Sequence, residues 1–559
     1  MKKFLLLFYV VILVNGVREN KSGEGRIVDT PQGPIRGYKD VDTNLFIFYG
    51  VPYATSPKGE HKFRAPLPPP QWQDTFDAID NKIVCPQSPL LVRDMDIDEN
   101  CLIANIFLPD TKKTKLPVLV YIHGGAFQLG SGLRLTPKAL VNNSDVIAVT
   151  FNYRLGIHGF LCLGTENSPG NAGLKDQLAL LRWVQNNIAS FGGNPDDVTI
   201  AGYSAGSMSA ELLILSPAAK GLFHKAILES GSSFGVAAVQ IDPLETAKAH
   251  AKSMNFDEID DVYRLEKFYT SSSYDQLTSR TYLSETDATF GFVPCIEREG
   301  RDDAFLTDTP FNILISKKFT KVPILYGITN MEGLLKVNYF SLEKGDFELV
   351  KDRMNEKFSD FLPADLEFNS EEQKEKVAKR IKEFYFRDKD IGEDTLNGYI
   401  DYYTDILFAY PTLKAVELQV AAGNDNIYLY EFSFVESDGT PTGYKNFTVE
   451  GANHVAQSRA VLDGVYNNPF DENLIRIRKV LRELWYNFIS KGQPVPESSS
   501  LPSWPPVTEQ WSPHMSIGNH MELKGSLLME RGRFWDSIYK QHYRQPKPPP
   551  PLPKRRTEF

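Results

Sequence analysis

A chain of 559 residues, 42% apolar and 24% charged, has the mixture of an ordinary globular protein and enough apolar volume for a large core, which excludes a disordered or fibrous chain. Its formal charge of -10 gives no general drive toward nucleic acid or an anionic membrane, so no nucleic-acid partner is expected. Four cysteines are too few for a disulfide scaffold, and their spacing lacks the CxxC pair of common structural zinc sites.

The chain opens in the form of a secretory signal: Lys2 and Lys3, an apolar run from Phe4 to Val14, and a possible cut near Val17. An anchor takes about 20 apolar residues, and this run is shorter. Residues 1–16 are therefore expected to be removed, and the mature protein to be secreted to the extracellular space without a membrane anchor. In an oxidising compartment Cys85 and Cys101, which bracket a polar loop, are candidates for a bridge. Cys162 lies in an apolar run and reads as a buried thiol; Cys295 stays open, and the two are not expected to form a second bridge. Asn20, Asn142 and Asn446 each begin an N-x-Ser or N-x-Thr sequon, which secretion would expose to glycosylation.

From Leu116 to Ile122 an apolar strand pattern runs into a turn at His123, Gly124 and Gly125. A second buried-strand pattern, Val146 to Tyr153, leads through turn-rich residues around Gly170 to a helix-compatible stretch from Leu174 to Ala189, with Leu178, Leu180, Leu181 and Val184 on an apolar stripe. After the turn at Gly192–Pro195, the strand Val198–Ala201 ends at Gly202-Tyr203-Ser204-Ala205-Gly206, and Met208 to Leu215 again reads as helix. Ile227–Leu228, Pro323–Ile328 and Ile427–Phe432 supply later strands. This alternation predicts an α/β fold: a large, mostly parallel central sheet covered by helices. The region 235–320 is more helical and polar, and residues 370–390 read as a solvated helix. Residues 17–544 are expected to form one catalytic domain with inserted helical regions. The Pro- and Lys-rich stretch 545–559 reads as a flexible extended tail that cannot bury much apolar area.

Gly-x-Ser-x-Gly at a strand-to-helix junction holds a serine hydroxyl on a tight turn above the sheet, and the new helix presents its positive end to developing negative charge. Ser204 is thus a candidate nucleophile, with a helix-capping serine as the structural alternative. The glycines of the His123–Phe127 turn bring backbone amides close to a carbonyl oxygen, so Gly124, Gly125 and Ala205 are candidate oxyanion donors. Glu332 lies just past the predicted strand Pro323–Ile328 and His454 in a small-residue turn after Ile427–Phe432, loop positions where catalytic groups emerge in open parallel sheets, though either residue type also serves as an ordinary polar turn.

Together with Phe63-Arg64-Ala65-Pro66, Glu99-Asn100-Cys101-Leu102, Asn152-Tyr153-Arg154-Leu155-Gly156, Gly170 to Gln177, Glu332-Gly333 and Gly451-Ala452-Asn453-His454, these motifs resemble the type B carboxylesterase and cholinesterase family, particularly its insect esterases, from about Gly25 to Trp535. The resemblance implies Ser204 as nucleophile, Glu332 as the residue that orients the imidazole, and His454 as general base and then acid. It also implies a Cys85–Cys101 disulfide and structural ion pairs of Arg64 with Glu99 and Arg154 with Asp176. Departures from the family pattern carry information. Cholinesterases usually have Glu where Tyr203 stands and a cation-binding Trp in the first disulfide loop, whereas Pro86 to Asn100 contains none. Juvenile-hormone esterases often have Gln at the Tyr203 position. Val455-Ala456-Gln457 follows the histidine where many relatives have acidic residues. The family comparison puts Ala288, Phe290 and Phe292 in an acyl pocket with more room than one with aromatic residues at all three positions; Phe127, Phe290 and Phe292 suggest an uncharged, largely apolar ester as the small-molecule substrate, with Tyr203 also expected among the substrate-binding residues. Such chemistry needs neither a metal nor an organic cofactor. The alternatives are a juvenile-hormone or odorant esterase, a lipase, a cholinesterase, and a non-catalytic adhesion ectodomain that would lack one of the reactive positions.

Overall fold

Twelve chain segments build the frame of the molecule, and in the computed structural model it is described for residues 21–80, 82–89, 92, 94–279, 286, 288–338, 347–435, 439–441, 448–464 and 471–553. The strands are β1 (Lys21–Thr30), β2 (Gly33–Asp40), β3 (Leu45–Pro52), β4 (Ile103–Pro109), β5 (Leu116–Ile122), β6 (Ile147–Phe151), β7 (Gly193–Tyr203), β8 (Lys225–Glu229), β9 (Ile324–Thr329), β10 (Ile427–Phe432), β11 (His514–Ile517) and β12 (Met521–Lys524). In space they run β1-β2-β3-β4-β6-β5-β7-β8-β9-β10-β11-β12, with a two-residue strand at 76–77 beside β2. Neighbours from β6 to β11 pair parallel, and antiparallel pairs close both margins.

Helices cover both faces: α1 (Ala172–Asn187), α2 (Ala205–Leu215), α3 (Pro243–Ser253), α4 (Val262–Ser271), α5 (Glu371–Phe386), α6 (Leu396–Thr404), α7 (Tyr410–Ala421), α8 (Ala456–Val461), α9 (Glu472–Lys491) and α10 (Met529–His542). The strand period of two sorts side chains between two cores. Along β5, Val118, Val120 and Ile122 join one cluster while Leu119 and Tyr121 join the other; along β7, Val198 and Ile200 part in the same way from Ala201 and Tyr203. Strands buried on both faces read as unbroken apolar runs, which is why β5 and β10 coincide with their predicted limits. Every residue of α2 is buried: most are apolar, and Ser207, Ser209 and Glu211 are hydrogen-bonded to Gly231, Gln177 and Ser232. α9 is amphipathic, capped by Asp471 onto the Asn473 and Leu474 N–H groups and stopped by Gly492 at φ 71°.

Two expectations need correction. Cys85 bonds Cys101 as anticipated, but Cys162 is no thiol: it bonds Cys295 across a sequence separation of 133 residues. Asn171 brings the two segments together, its Nδ2 donating to the Cys295 carbonyl at 2.8 Å and its Oδ1 accepting the Cys295 N–H at 2.9 Å. Arg154 does pair with Asp176, in a buried two-pronged bond of 2.6 and 2.8 Å. Arg64 does not meet Glu99; it turns to Glu166 at 2.8 Å and Asn167 at 2.9 Å, and Glu99 faces the buried His158 at 3.6 Å. The stretch 545–553 is extended but clipped to the body. Lys547 donates its N–H to the Ile241 carbonyl at 3.0 Å, Arg298 donates to the Pro549 carbonyl at 3.1 Å, and Pro546 and Pro549 are buried.

Among the described residues no helix is long and apolar enough to cross a membrane. The signal run, Asn20 and Asn446 lie outside the described residues, while Asn142 is exposed near the end of a short helix, Lys138–Asn142.

Candidate active site

Because β7, β8, β9 and β10 are adjacent and parallel, the loops leaving their carboxyl ends crowd together, where open α/β sheets bind ligands. Ser204 follows β7 directly and precedes α2 with φ 54° and ψ −126°, a conformation costly for any residue with a side chain. Its surroundings enforce it. The Ser204 N–H donates to the Glu229 carbonyl at 2.9 Å, and the Ser204 carbonyl accepts the Met208 N–H at 3.0 Å. Gly206 lets the turn sit this low, since a Cβ there would stand 2.1 Å from the Ile122 carbonyl oxygen. The serine is left partly exposed at the strand-to-helix junction.

Beyond β9, Glu332 opens a single 3-10 turn and is fully buried. One carboxylate oxygen accepts the Thr329 N–H at 2.7 Å; the other lies 2.5 Å from Nδ1 of His454. The two loops are stitched together: the Met331 N–H donates to the Ala452 carbonyl at 3.2 Å, and the Ala452 N–H to Asn330 Oδ1 at 2.8 Å. With Nδ1 committed to the carboxylate, Nε2 is the ring nitrogen left for proton exchange. The imidazole packs on Phe408, ring centroids 4.4 Å apart. Phe408 belongs to a π-helical turn, Asp405–Ala409, inserted between α6 and α7, an irregularity common at functional sites.

The turn after β5 is wound tightly, with φ at 117°, 56° and 59° for Gly125, Ala126 and Phe127. The Gly125 carbonyl accepts the N–H groups of Gln128 at 2.9 Å and Leu129 at 3.0 Å. His123 is buried, and burial pushes its imidazole down to about 4, so it is neutral at physiological pH. A carbonyl can only accept, so the 2.8 Å contact with the Gly124 oxygen puts the proton on Nδ1. This histidine braces the turn.

Ser204, Glu332 and His454 thus follow β7, β9 and β10 in chain order, beside the glycine turn after β5. Residues 24–535 match the model of the carboxylesterase family. The chain belongs to the carboxylesterase family. Esterase FE4 of Myzus persicae is 32% identical over 508 residues, 86% of this chain and 87% of that protein. Venom carboxylesterase-6 of Apis mellifera is 32% identical over 544 residues, covering 91% and 94%. Among solved structures, juvenile hormone esterase from Manduca sexta with OTFP covalently attached superimposes with a TM-score of 0.79 at 30% identity, over 92% of this chain and all of that one. The protein is an α/β-hydrolase that cleaves carboxylic esters by a serine-hydrolase mechanism.

In this esterase Phe127 and the segment of Ala288, Phe290 and Phe292 are linked through Gln128, and Tyr203 lies apart from them. Gln128 Nε2, one residue beyond Phe127, donates to the Gly291 carbonyl and, at 3.4 Å, to that of Phe292, tying the glycine turn to the segment of Ala288, Phe290 and Phe292. Phe127 is fully buried edge-on to Phe160 at 5.1 Å, and Phe292 stands edge-on to His250 at 5.3 Å. Tyr203 goes elsewhere. Its ring stacks with Tyr121 at 6.2 Å in the core on the other face of the sheet, within 2.9 Å of where a Gly124 Cβ would be, so it packs under the glycine turn. Gln128 and Phe408 escaped the sequence reading because no local pattern marks them.

Proposed function

We propose that Ser204 is the nucleophile, Glu332 the residue that orients and stabilises the imidazole, and His454 the general base and then acid, with the N–H groups of Gly124, Gly125 and Ala205 as oxyanion donors. The observation that carries this reading is the Glu332–His454 contact at 2.5 Å, two strand ends away from a serine held in a strained turn. His454 Nε2 takes the Ser204 proton as the hydroxyl attacks the ester carbonyl. The tetrahedral oxyanion gains hydrogen bonds that the planar ester lacks, each worth roughly 3 kcal/mol. Protonated His454 then releases the alcohol, and in a second step it activates water to cleave the acyl-enzyme. Ala205 is the first residue of α2, so its N–H has no partner within the helix.

The substrate is an uncharged ester with an apolar acyl group, taken against Phe127, Ala288, Phe290 and Phe292. Two disulfides and an exposed sequon at Asn142 support a secreted protein, since bridges persist in oxidising compartments. Ser204→Ala should fold, lose covalent labelling by an organophosphate, and lose at least about 1,000-fold in turnover of a soluble ester. Wild-type turnover with labelling at another residue would overturn the assignment. A panel of short acyl esters, odorant acetates and juvenile-hormone-like methyl esters, compared by kcat/KM, then ranks the natural substrate classes.

A further inference from the structure

Next to the proposed triad lies another buried carboxyl group. Glu229 ends β8, the strand between the one that carries Ser204 and the one that leads to Glu332. Its side chain is fully buried. The Tyr430 hydroxyl on β10 donates to one carboxylate oxygen at 2.5 Å, and the Ser458 hydroxyl on α8 donates to the other. Ser458 is four residues past His454, on the helix the histidine leads into. Beside it Gln457 donates to Ser230 Oγ at 2.6 Å, so two neighbouring side chains fasten α8 to the end of β8. The approach to that helix, Val455-Ala456-Gln457, has no acid of its own.

The groups facing Glu229 are Tyr121 on β5, Tyr430 on β10, Ser458 on α8, Trp485 on α9 and the Glu332 carboxylate; among the described residues no lysine or arginine pairs with it. Burial pushes its carboxyl up to about 7 against the hydrogen bonds of Ser458 and Tyr430, and the charge of Glu332 adds to the rise. It can therefore change charge in the range where an esterase works. A negative charge in a water-free interior acts over longer distances than one in solvent.

We propose that Glu229 is a positioning residue of the hydrolytic reaction: it anchors α8 through Ser458, so holding His454 to Glu332, and its negative charge favours the imidazolium formed when His454 takes the Ser204 proton. It touches no reacting atom. The proposal rests on the triad reading above, and it makes the two variants below move the pH profile in opposite directions.

Glu229→Gln keeps the shape and removes the charge. With a soluble p-nitrophenyl ester and active sites counted by organophosphate titration, kcat should fall roughly tenfold, as for outer partners of catalytic groups, with KM nearly unchanged. The acid limb of the kcat/KM profile should move to lower pH, because the imidazolium loses its support. Tyr430→Phe removes one hydrogen bond from the ionised carboxylate, so Glu229 ionises at higher pH and the acid limb should move upward. A fixed acid limb in both variants, whatever happens to kcat, overturns the proposal. If Glu229→Gln fails to fold, Tyr430→Phe alone decides, by an upward shift or none. If the organophosphate does not label Ser204 in the wild type, it is the triad reading that fails; a labelled wild type with unmoved variant profiles fails Glu229 alone.

Discussion

A carboxyl group cut off from water holds its proton to higher pH than one in solution, and Asp365 is such a group away from the active site. Burial pushes it from its ordinary 3.8 up to about 7, against the bond it accepts from the Tyr539 hydroxyl at 3.0 Å. Between those values the folded protein holds a proton that the unfolded chain has released, so stability falls as pH rises through the window and is level above it. Asp365→Asn does not titrate. It should gain on the wild type by up to roughly 1.4 kcal/mol per pH unit between about pH 4 and 7. Denaturation midpoints across that range check this, and parallel curves for the two proteins would refute it. The residues proposed for the triad carry local signatures in the sequence: Ser204 sits between glycines at a strand end, and Glu332 and His454 lie in loops that come after apolar runs. Glu229 was not legible there, because its partner Ser458 lies 229 residues away. The position of Tyr203 was legible but misread from its adjacency to Ser204. Counting by two from Ala201 puts it on the opposite face of the sheet from Val198 and Ile200.

Elements buried on both faces announced themselves, and elements at the margins did not. β12 has one half-buried residue and three exposed ones, and β11 is four residues long, so neither gives a strand-length apolar run. β7 begins at Gly193, inside a stretch that reads as a turn, because Gly193 still pairs with Leu116 before the register shifts to Val198. The Cys162–Cys295 bridge is of the same kind, a connection between distant segments that no local spacing encodes. In the chain-entropy account, closing so long a loop restrains the unfolded chain by about 5 kcal/mol. Replacing both cysteines by serine should therefore lower stability by roughly 2–5 kcal/mol and leave ester turnover by the folded fraction near wild type. Recovery of Cys162 as a free thiol in nonreducing peptide maps of the wild type would remove the basis of this expectation.

At the scale of the whole molecule, charge and pocket chemistry pull a cationic substrate in opposite directions. The net charge of -10 attracts cations at low ionic strength wherever the active site lies, and this steering fades as salt shortens the screening length to about 8 Å at physiological strength. The site must then hold the bound cation. A quaternary ammonium group loses hydration on entry, and an aromatic face offsets part of that loss by roughly 0.5–2 kcal/mol, best from Trp. The loop from Pro86 to Asn100 carries no Trp. The residue before Ser204 is not an acid but Tyr203, whose ring is committed to Tyr121 beneath the glycine turn. The aromatic ring that does stand at the site, Phe408, is already packed on the His454 ring. An uncharged ester should accordingly show a higher kcat/KM than a choline ester matched in acyl group and alcohol size, by roughly tenfold at physiological salt. The gap should widen as salt is raised, because the steering that favours the cation is what salt removes. A choline ester preferred at every ionic strength would mean that a cation site exists where none of these residues provides one, and the neutral-ester reading would fall.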